Sequence, residues 1–150
     1  MSKPAHAPDV PTRHIHDKCL CLHAQRAARA LARRFDEALR PVGITSGQFS
    51  LLNAMNRAEP RSMGEVAAIL AMDRTTLTAN LKPLEREGLM KTETDPADRR
   101  ARKLLLTAEG RKRLRAAAPI WKRTHAALER EMTAAAANPA TTRAGLRAIA

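Results

Sequence analysis

Between residues 45 and 89 the chain carries three helix starts and a helix stop, spaced so closely that only a cluster of short helices can form there. Thr45 is followed three residues on by Gln48, and Ser62 by Glu65. In each pair the hydroxyl takes an orphan N–H of the first turn while the longer side chain reaches back to the cap's own N–H. Glu59-Pro60 separates the two, and Ala71-Met72 is a tight connection into Asp73, an N-cap for a further helix. Gly88, with apolar Leu89 after it, is the expected left-handed stop. Apolar residues at helical spacing give each segment an inner face: Phe49, Leu52 and Met55; then Val66, Ile69 and Leu70; then Leu77, Leu81 and Leu84. Two candidate strands follow, Leu89–Thr94 and Ala101–Leu106, around the charged turn Asp95-Pro96-Ala97-Asp98-Arg99-Arg100.

Long helices flank this cluster. From His14 to Arg40 a single helix is expected, its stripe formed by Leu20, Ala24, Ala27, Leu31, Phe35 and Ala38. At ~40 Å it needs partners along its whole length. Pro41 and Gly43 end it. Thr107 caps a second long helix with Leu114, Trp121, Leu128 and Met132 in line, and Pro119 is expected to kink it. Asn138-Pro139 ends that helix, and Thr141–Ala150 forms a short last one. Residues 1–12, with Pro4, Pro8 and Pro11, read as a disordered tail. The expected organisation is therefore a tail at 1–12, an N-terminal dimerisation helix at 13–44, a compact lobe at 45–107 and C-terminal dimerisation helices at 108–150. The fold class is mainly α with a small β-hairpin wing.

Composition narrows the partner. There are 27 Lys and Arg against 15 Asp and Glu, a net charge of +12. Such a balance points to a polyanion, or to a chain that simply favours Arg and Ala on solvated faces. From Ser62 to Thr107, however, eight basic residues face seven acidic ones; the surplus lies mainly in Arg13–Arg40 and Arg111–Arg123. Aromatics are 2% of the chain, too few for base-stacking platforms. No apolar run approaches ~18 residues, so no membrane span is expected, and no secretory leader is read at the N-terminus. Two cysteines make no disulfide framework, which favours a cytoplasmic compartment. No phosphate loop, Ser/His/Asp set or helix-borne His pair suggests an enzyme, and no cofactor is expected.

A short helix, a tight turn, an amphipathic helix and a hairpin make a winged helix-turn-helix. With Leu77, Leu81 and Leu84 inward, the helix after Asp73 leaves Arg74, Thr75, Thr76, Thr78 and Lys82 facing out. Arg74 suits a guanine edge, the threonines suit bases or phosphates, and Lys82 suits a phosphate. The hairpin tip Arg99-Arg100 suits a minor groove. The alternatives are a solvated Arg74, threonines that only support the Asp73 cap, and aspartates at 95 and 98 that pair with Arg99, Arg100 or Arg102. Pro83 should bend this helix near Lys82. A near-neutral lobe favours base contacts over the bulk phosphate attraction of an architectural DNA protein.

Five strings, in order and at the right spacings, resemble the multiple-antibiotic-resistance regulator (MarR) family: Thr45-Ser46-Gly47-Gln48-Phe49, Met72-Asp73-Arg74-Thr75-Thr76-Leu77-Thr78, Leu84-Glu85-Arg86-Glu87-Gly88-Leu89, Asp98-Arg99-Arg100 and Leu106-Thr107-Ala108-Glu109-Gly110. The resemblance covers about residues 15 to 135. It implies a homodimeric transcription factor, usually a repressor, on a pseudo-palindromic operator of double-stranded DNA. The first and last two helices would interlock. A small-molecule effector, such as an aromatic or organic acid, would lodge between the dimer helices and the reading lobe. Pro83 and the short last helix depart from the family pattern.

For sensing, the candidates are Cys19, Cys21, His23, Gln25 and Phe49. His16, Cys19 and His23 would share one face of a continuous helix, a set of soft ligands for zinc or copper, although one helix seldom supplies a whole metal site. Cys21 falls where the organic-hydroperoxide-sensing branch of the resembled family carries its reactive thiol, with Gln25 and Phe35 at matching places. That branch also uses Tyr side chains, and this chain has none. The plainer reading is that both cysteines pack in a dimer seam.

Overall fold

A computed structural model describes residues 10–150; residues 1–9 of the expected tail lie outside it. The elements are α1 (Thr12–Lys18), α2 (Leu20–Leu39), a 3-10 turn (Arg40–Val42), α3 (Ser46–Met55), β1 (Arg61–Ser62), α4 (Met63–Ile69), α5 (Arg74–Arg86), β2 (Met90–Thr94), β3 (Arg102–Leu106), α6 (Ala108–Ala134) and α7 (Pro139–Arg147). The protein is mainly helical with a small antiparallel sheet, the fold class expected of it.

The capping devices work as expected. Thr45 Oγ1 accepts from Gln48 N–H at 3.1 Å while Gln48 Oε1 accepts from Thr45 N–H at 2.9 Å. Ser62 and Glu65 reciprocate in the same way. The carboxylates at these helix starts sit below their ordinary pKa: Glu65 because the Ser62 backbone and hydroxyl donate to it, Asp73 because Thr76 N–H and hydroxyl do. Gly88 stops α5 at φ +70°.

The core runs through α3, α4, α5 and the sheet. Leu52, Val66, Leu77, Leu84, Leu89 and Leu104 are completely buried. The sheet has the order β1-β3-β2, with Met90 opposite Leu106, Thr92 opposite Leu104 and Arg61 opposite Leu104 from the other side. The first helical turn of α6 nests on the end of the α5–β2 corner. Thr107 Oγ1 donates to Gly88 O at 2.6 Å. At Gly110 a β-carbon would overlap the Leu89 carbonyl, so only glycine permits the approach.

Four expectations are corrected. The helix expected over 14–40 is two helices, because Cys19 takes extended backbone and caps α2 with its thiol, Sγ accepting from Leu22 N–H at 3.4 Å. Ile69 is not inward but 52% exposed; Val66 and Ala67 are the buried residues of this short helix, with Met63 and Leu70 packed partly buried against the core. Trp121, expected on the inner stripe of α6, is 38% exposed. A third strand, β1, was not expected; two residues are too few to show alternation. The helices α5 and α6 both run on past their prolines, Pro83 and Pro119. Among the described residues no helix is long and apolar enough to cross a membrane.

Candidate nucleic-acid interface and effector cavity

Burial of Leu77, Leu81 and Leu84 turns the opposite face of α5 outward, so Arg74, Thr75, Thr76, Thr78 and Lys82 are all exposed. Their freedom differs. Thr76 Oγ1 donates to Asp73 Oδ2 at 2.7 Å, and Thr78 Oγ1 donates to Arg74 O at 2.7 Å. Both hydroxyl protons are committed within the helix, leaving methyls and lone pairs outward. Thr76 thus serves the cap, as one alternative held. The Arg74 guanidinium lies over the start of α4, where a β-carbon on Gly64 would stand 3.9 Å from Nη2. Sequence reasoning passed over Asn80, which is exposed and reaches the Met72 sulfur at 3.8 Å; its spacing from Arg74 did not place it.

At the wing, the aspartates do not pair with the neighbouring arginines. Asp95 Oδ1 accepts from Ala97 N–H, and Asp95 Oδ2 lies 3.2 Å from Lys103 Nζ. These two donors hold its carboxyl below the usual range. Asp98 Oδ1 accepts from Arg100 N–H at 2.9 Å. Both acids therefore stiffen the turn through its backbone, and the Arg99 and Arg100 side chains remain exposed at its tip.

The sensing candidates fall into two separate places. At the α1–α2 break, Gln25 Nε2 donates to the exposed Cys21 Sγ at 3.2 Å. The His16 and His23 rings meet edge-on, 6.3 Å between centroids. The break removes the continuous helix face that would have aligned His16, Cys19 and His23, and among the described residues no three metal-capable side chains gather.

Phe49 lies elsewhere, in the wall of a cavity of about 450 Å³ between α2, α3 and α6. Phe49 and Trp121 stack at 6.1 Å, Trp121 and His125 at 4.8 Å, and Phe35 leans on His125 at 6.4 Å. Leu31, Leu128 and Gly47 complete the apolar wall, and Ser46, Ser50 and His125 are its polar members. Glu129 Oε1 stands 3.7 Å from His125 Nδ1 and accepts from Arg143 of α7 at 2.5 Å. Such a slot accommodates a flat apolar group. Trp121 and His125 are one helical turn apart in the sequence, but nothing local says that Phe49 completes their stack.

Phe49 is also a wall of a second, smaller groove of about 370 Å³ between the end of α3 and the start of α6. Asn53, Asn56, Arg111 and Arg115 line it, and Arg111 Nη1 is held by Leu106 O at 2.8 Å.

Comparison with known proteins places this geometry. The family model of the MarR family matches residues 42–101. The transcriptional regulator HosA of Escherichia coli O111:H- is 42% identical over 79 residues, 51% of this chain and 57% of that protein. The chain's match thus spans little more than half the length of that relative. The Mycobacterium tuberculosis transcriptional regulator MosR, solved in complex with DNA, is 36% identical; the match covers 88% of this chain and 93% of that one, with a TM-score of 0.76. A transcriptional repressor, CouR, solved bound to p-coumaroyl-CoA, is 27% identical; the match covers 79% of this chain and 83% of that one, with a TM-score of 0.69.

Proposed function

The chain belongs to the MarR family of winged-helix transcriptional regulators, and from that premise we propose that two copies of it bind a pseudo-palindromic operator as a repressor that a small-molecule effector releases. Members of this family are DNA-binding regulators and not enzymes. The observation that carries the reading is the division of α5, whose leucines are fully committed to the core while its first two turns stay exposed. Arg74 and Thr75 read base edges, with the methyls of Thr76 and Thr78 beside them. Lys82 meets a phosphate, and Arg99 and Arg100 enter the minor groove. The domain division expected above is kept: dimerisation helices on both sides of the lobe at 45–107. Exposed apolar residues support it, among them Leu20 at 73%, Leu146 at 48% and Ile149 at 68%. The DNA complex of MosR supports the operator, and the ligand complex of CouR supports an effector.

Selection of bound duplexes from a randomised pool tests this. Enrichment of an inverted repeat with half-sites about one turn, ~10 bp, apart is the expected result. Recovery of no common sequence, or a 1:1 complex of one protomer with DNA, overturns it.

A second reading rests on the Gln25–Cys21 contact. An organic hydroperoxide would oxidise the Cys21 thiolate to a sulfenic acid, itself being reduced to the alcohol, and the operator would be released. A gel shift with cumene hydroperoxide tests it. Release by wild type but not by Cys21→Ser supports the thiol, and an unchanged wild-type complex retires it.

A further inference from the structure

We propose that α5 selects its operator by the C5-methyl group of thymine, and that Ala79 is the point on the helix where that methyl docks. The inference rests on the operator reading above and names the base atom that the helix reads. At about 100° per residue, Leu77, Leu81 and Leu84 point the same way into the core, and Ala79 lies nearest the line directly opposite them. Thr75 precedes it by one turn, and Lys82 and Arg86 continue the same ridge, all of them exposed. Arg74 and Thr78 flank the ridge on one side and Asn80 on the other. The residue that comes nearest the floor of a groove is therefore the smallest on the helix, and nothing holds the backbone off the base edges there.

Ala79 has no side-chain donor or acceptor, and its backbone groups lie inside the helix Arg74–Arg86, so it takes no part in the hydrogen-bond code of the bases. The neighbouring hydroxyls are withdrawn as well: Thr76 Oγ1 donates to Asp73 Oδ2 and Thr78 Oγ1 to Arg74 O, both at 2.7 Å. Thr75 and Thr76 add a methyl each beside Ala79. The ridge Thr75, Ala79, Lys82 and Arg86 carries no carboxylate. It is apolar at its middle and cationic where the helix leaves the bases, which suits phosphates there. Among the base edges of the major groove, the apolar group is the C5-methyl of thymine. Cytosine in that place would turn its N4 amino group toward the Ala79 methyl and lose a water partner without gaining another. Arg74 and Asn80 carry the polar groups for the neighbouring base pairs.

Uracil tests the claim at the level of one group, because it pairs with adenine as thymine does and lacks only the C5-methyl. In the operator recovered from the randomised pool, each thymine is replaced in turn by deoxyuridine, and the affinity of the full-length protein is measured by fluorescence anisotropy. One position in each half-site is expected to respond most. The loss of one buried methyl there weakens binding about fourfold, and of both about fifteenfold. At that position 5-methylcytosine should bind more tightly than cytosine. Ala79→Ser, close in size but polar, should bring the ratio of thymine to uracil affinity toward one. Ala79→Leu, which holds the helix off the base edges, should weaken operator binding about tenfold or more and spare random duplex. Circular dichroism confirms that both variants fold. A selected half-site without thymine, a fully uridine-substituted operator bound as tightly as the original, or a uracil response unchanged in Ala79→Ser each overturns the proposal. So does equal binding of cytosine and 5-methylcytosine, or an Ala79→Leu protein that binds the operator as the wild type does. All of these leave the regulator reading standing. Recovery of no common sequence sinks the regulator reading itself.

Discussion

The lobe from α3 to β3 and the outer helices are built on opposite terms. In the lobe every helix start is closed by its own side chain, and the leucines of α5 and the sheet are sealed from water. By contrast α1 and α7 bury no residue at all, and α2 buries only Phe35 and Leu39 near its end. Yet α2 and α7 are clearly two-faced: Leu20, Leu146 and, just past the end of α7, Ile149 stand in water. The lobe is a finished object, whereas the outer helices have prepared a surface that one protomer does not cover. Burial at roughly 25 cal/mol per Å² of apolar surface is stabilisation that a second copy can supply and a single chain cannot.

Substitutions can break that comparison. Leu77→Ala leaves a hole at the centre of the lobe and should lower unfolding stability by about 2–5 kcal/mol in urea melts at any protein concentration. Stability that recovers as concentration rises would show that the lobe, too, depends on association. Gly110→Ala forces α6 off the Leu89 carbonyl and should cost about 1–3 kcal/mol in the same assay. A neutral result would mean that this junction yields. On DNA, Arg74→Ala should lose about 1–3 kcal/mol on the selected operator and almost nothing on random duplex. Equal losses on both would make Arg74 a phosphate contact. Replacing Leu146 and Ile149 together by Ser should leave the circular dichroism of the lobe intact and shift the sedimentation of the protein toward one protomer. An unchanged species would assign association to other surfaces.

The smallest effect concerns acid. Asp73 and Glu65 have pKa values lowered on folding by the N–H groups they accept. Their contribution is therefore complete above the unfolded-state pKa and is lost as pH falls through the lower folded value. Melting temperature should decline below the ordinary carboxylate range, and Asp73→Asn, which keeps a capping oxygen but cannot titrate, should soften that decline. An identical acid profile would assign it to other carboxylates.

What could be read in the sequence was what is decided locally. Thr45 with Gln48, Ser62 with Glu65, Asp73 and Gly88 each settle their turn within four residues, and the structure has them all. The Cys19 break was hidden because a thiol is a poor capping group and the apolar stripe runs straight across it. Strand β1 exists only because β3 offers it partners. The cavity joins Phe35, Phe49 and Trp121 from three helices, and no spacing along the chain encodes that meeting. The wing aspartates were assigned to the wrong partners because backbone N–H groups are invisible to a reading of side-chain charge.

The junction at Gly110 has a mechanical corollary. Thr107 ties the root of α6 to Gly88, and Gly110 lets that root sit directly on the Leu89 carbonyl. No slack linker lies between the 27-residue shaft and α5, the helix proposed to read the bases. A tilt imposed far out on α6, where Trp121 and His125 sit, is delivered at α5 as on a spanner, the handle moving a little and the jaw turning with it.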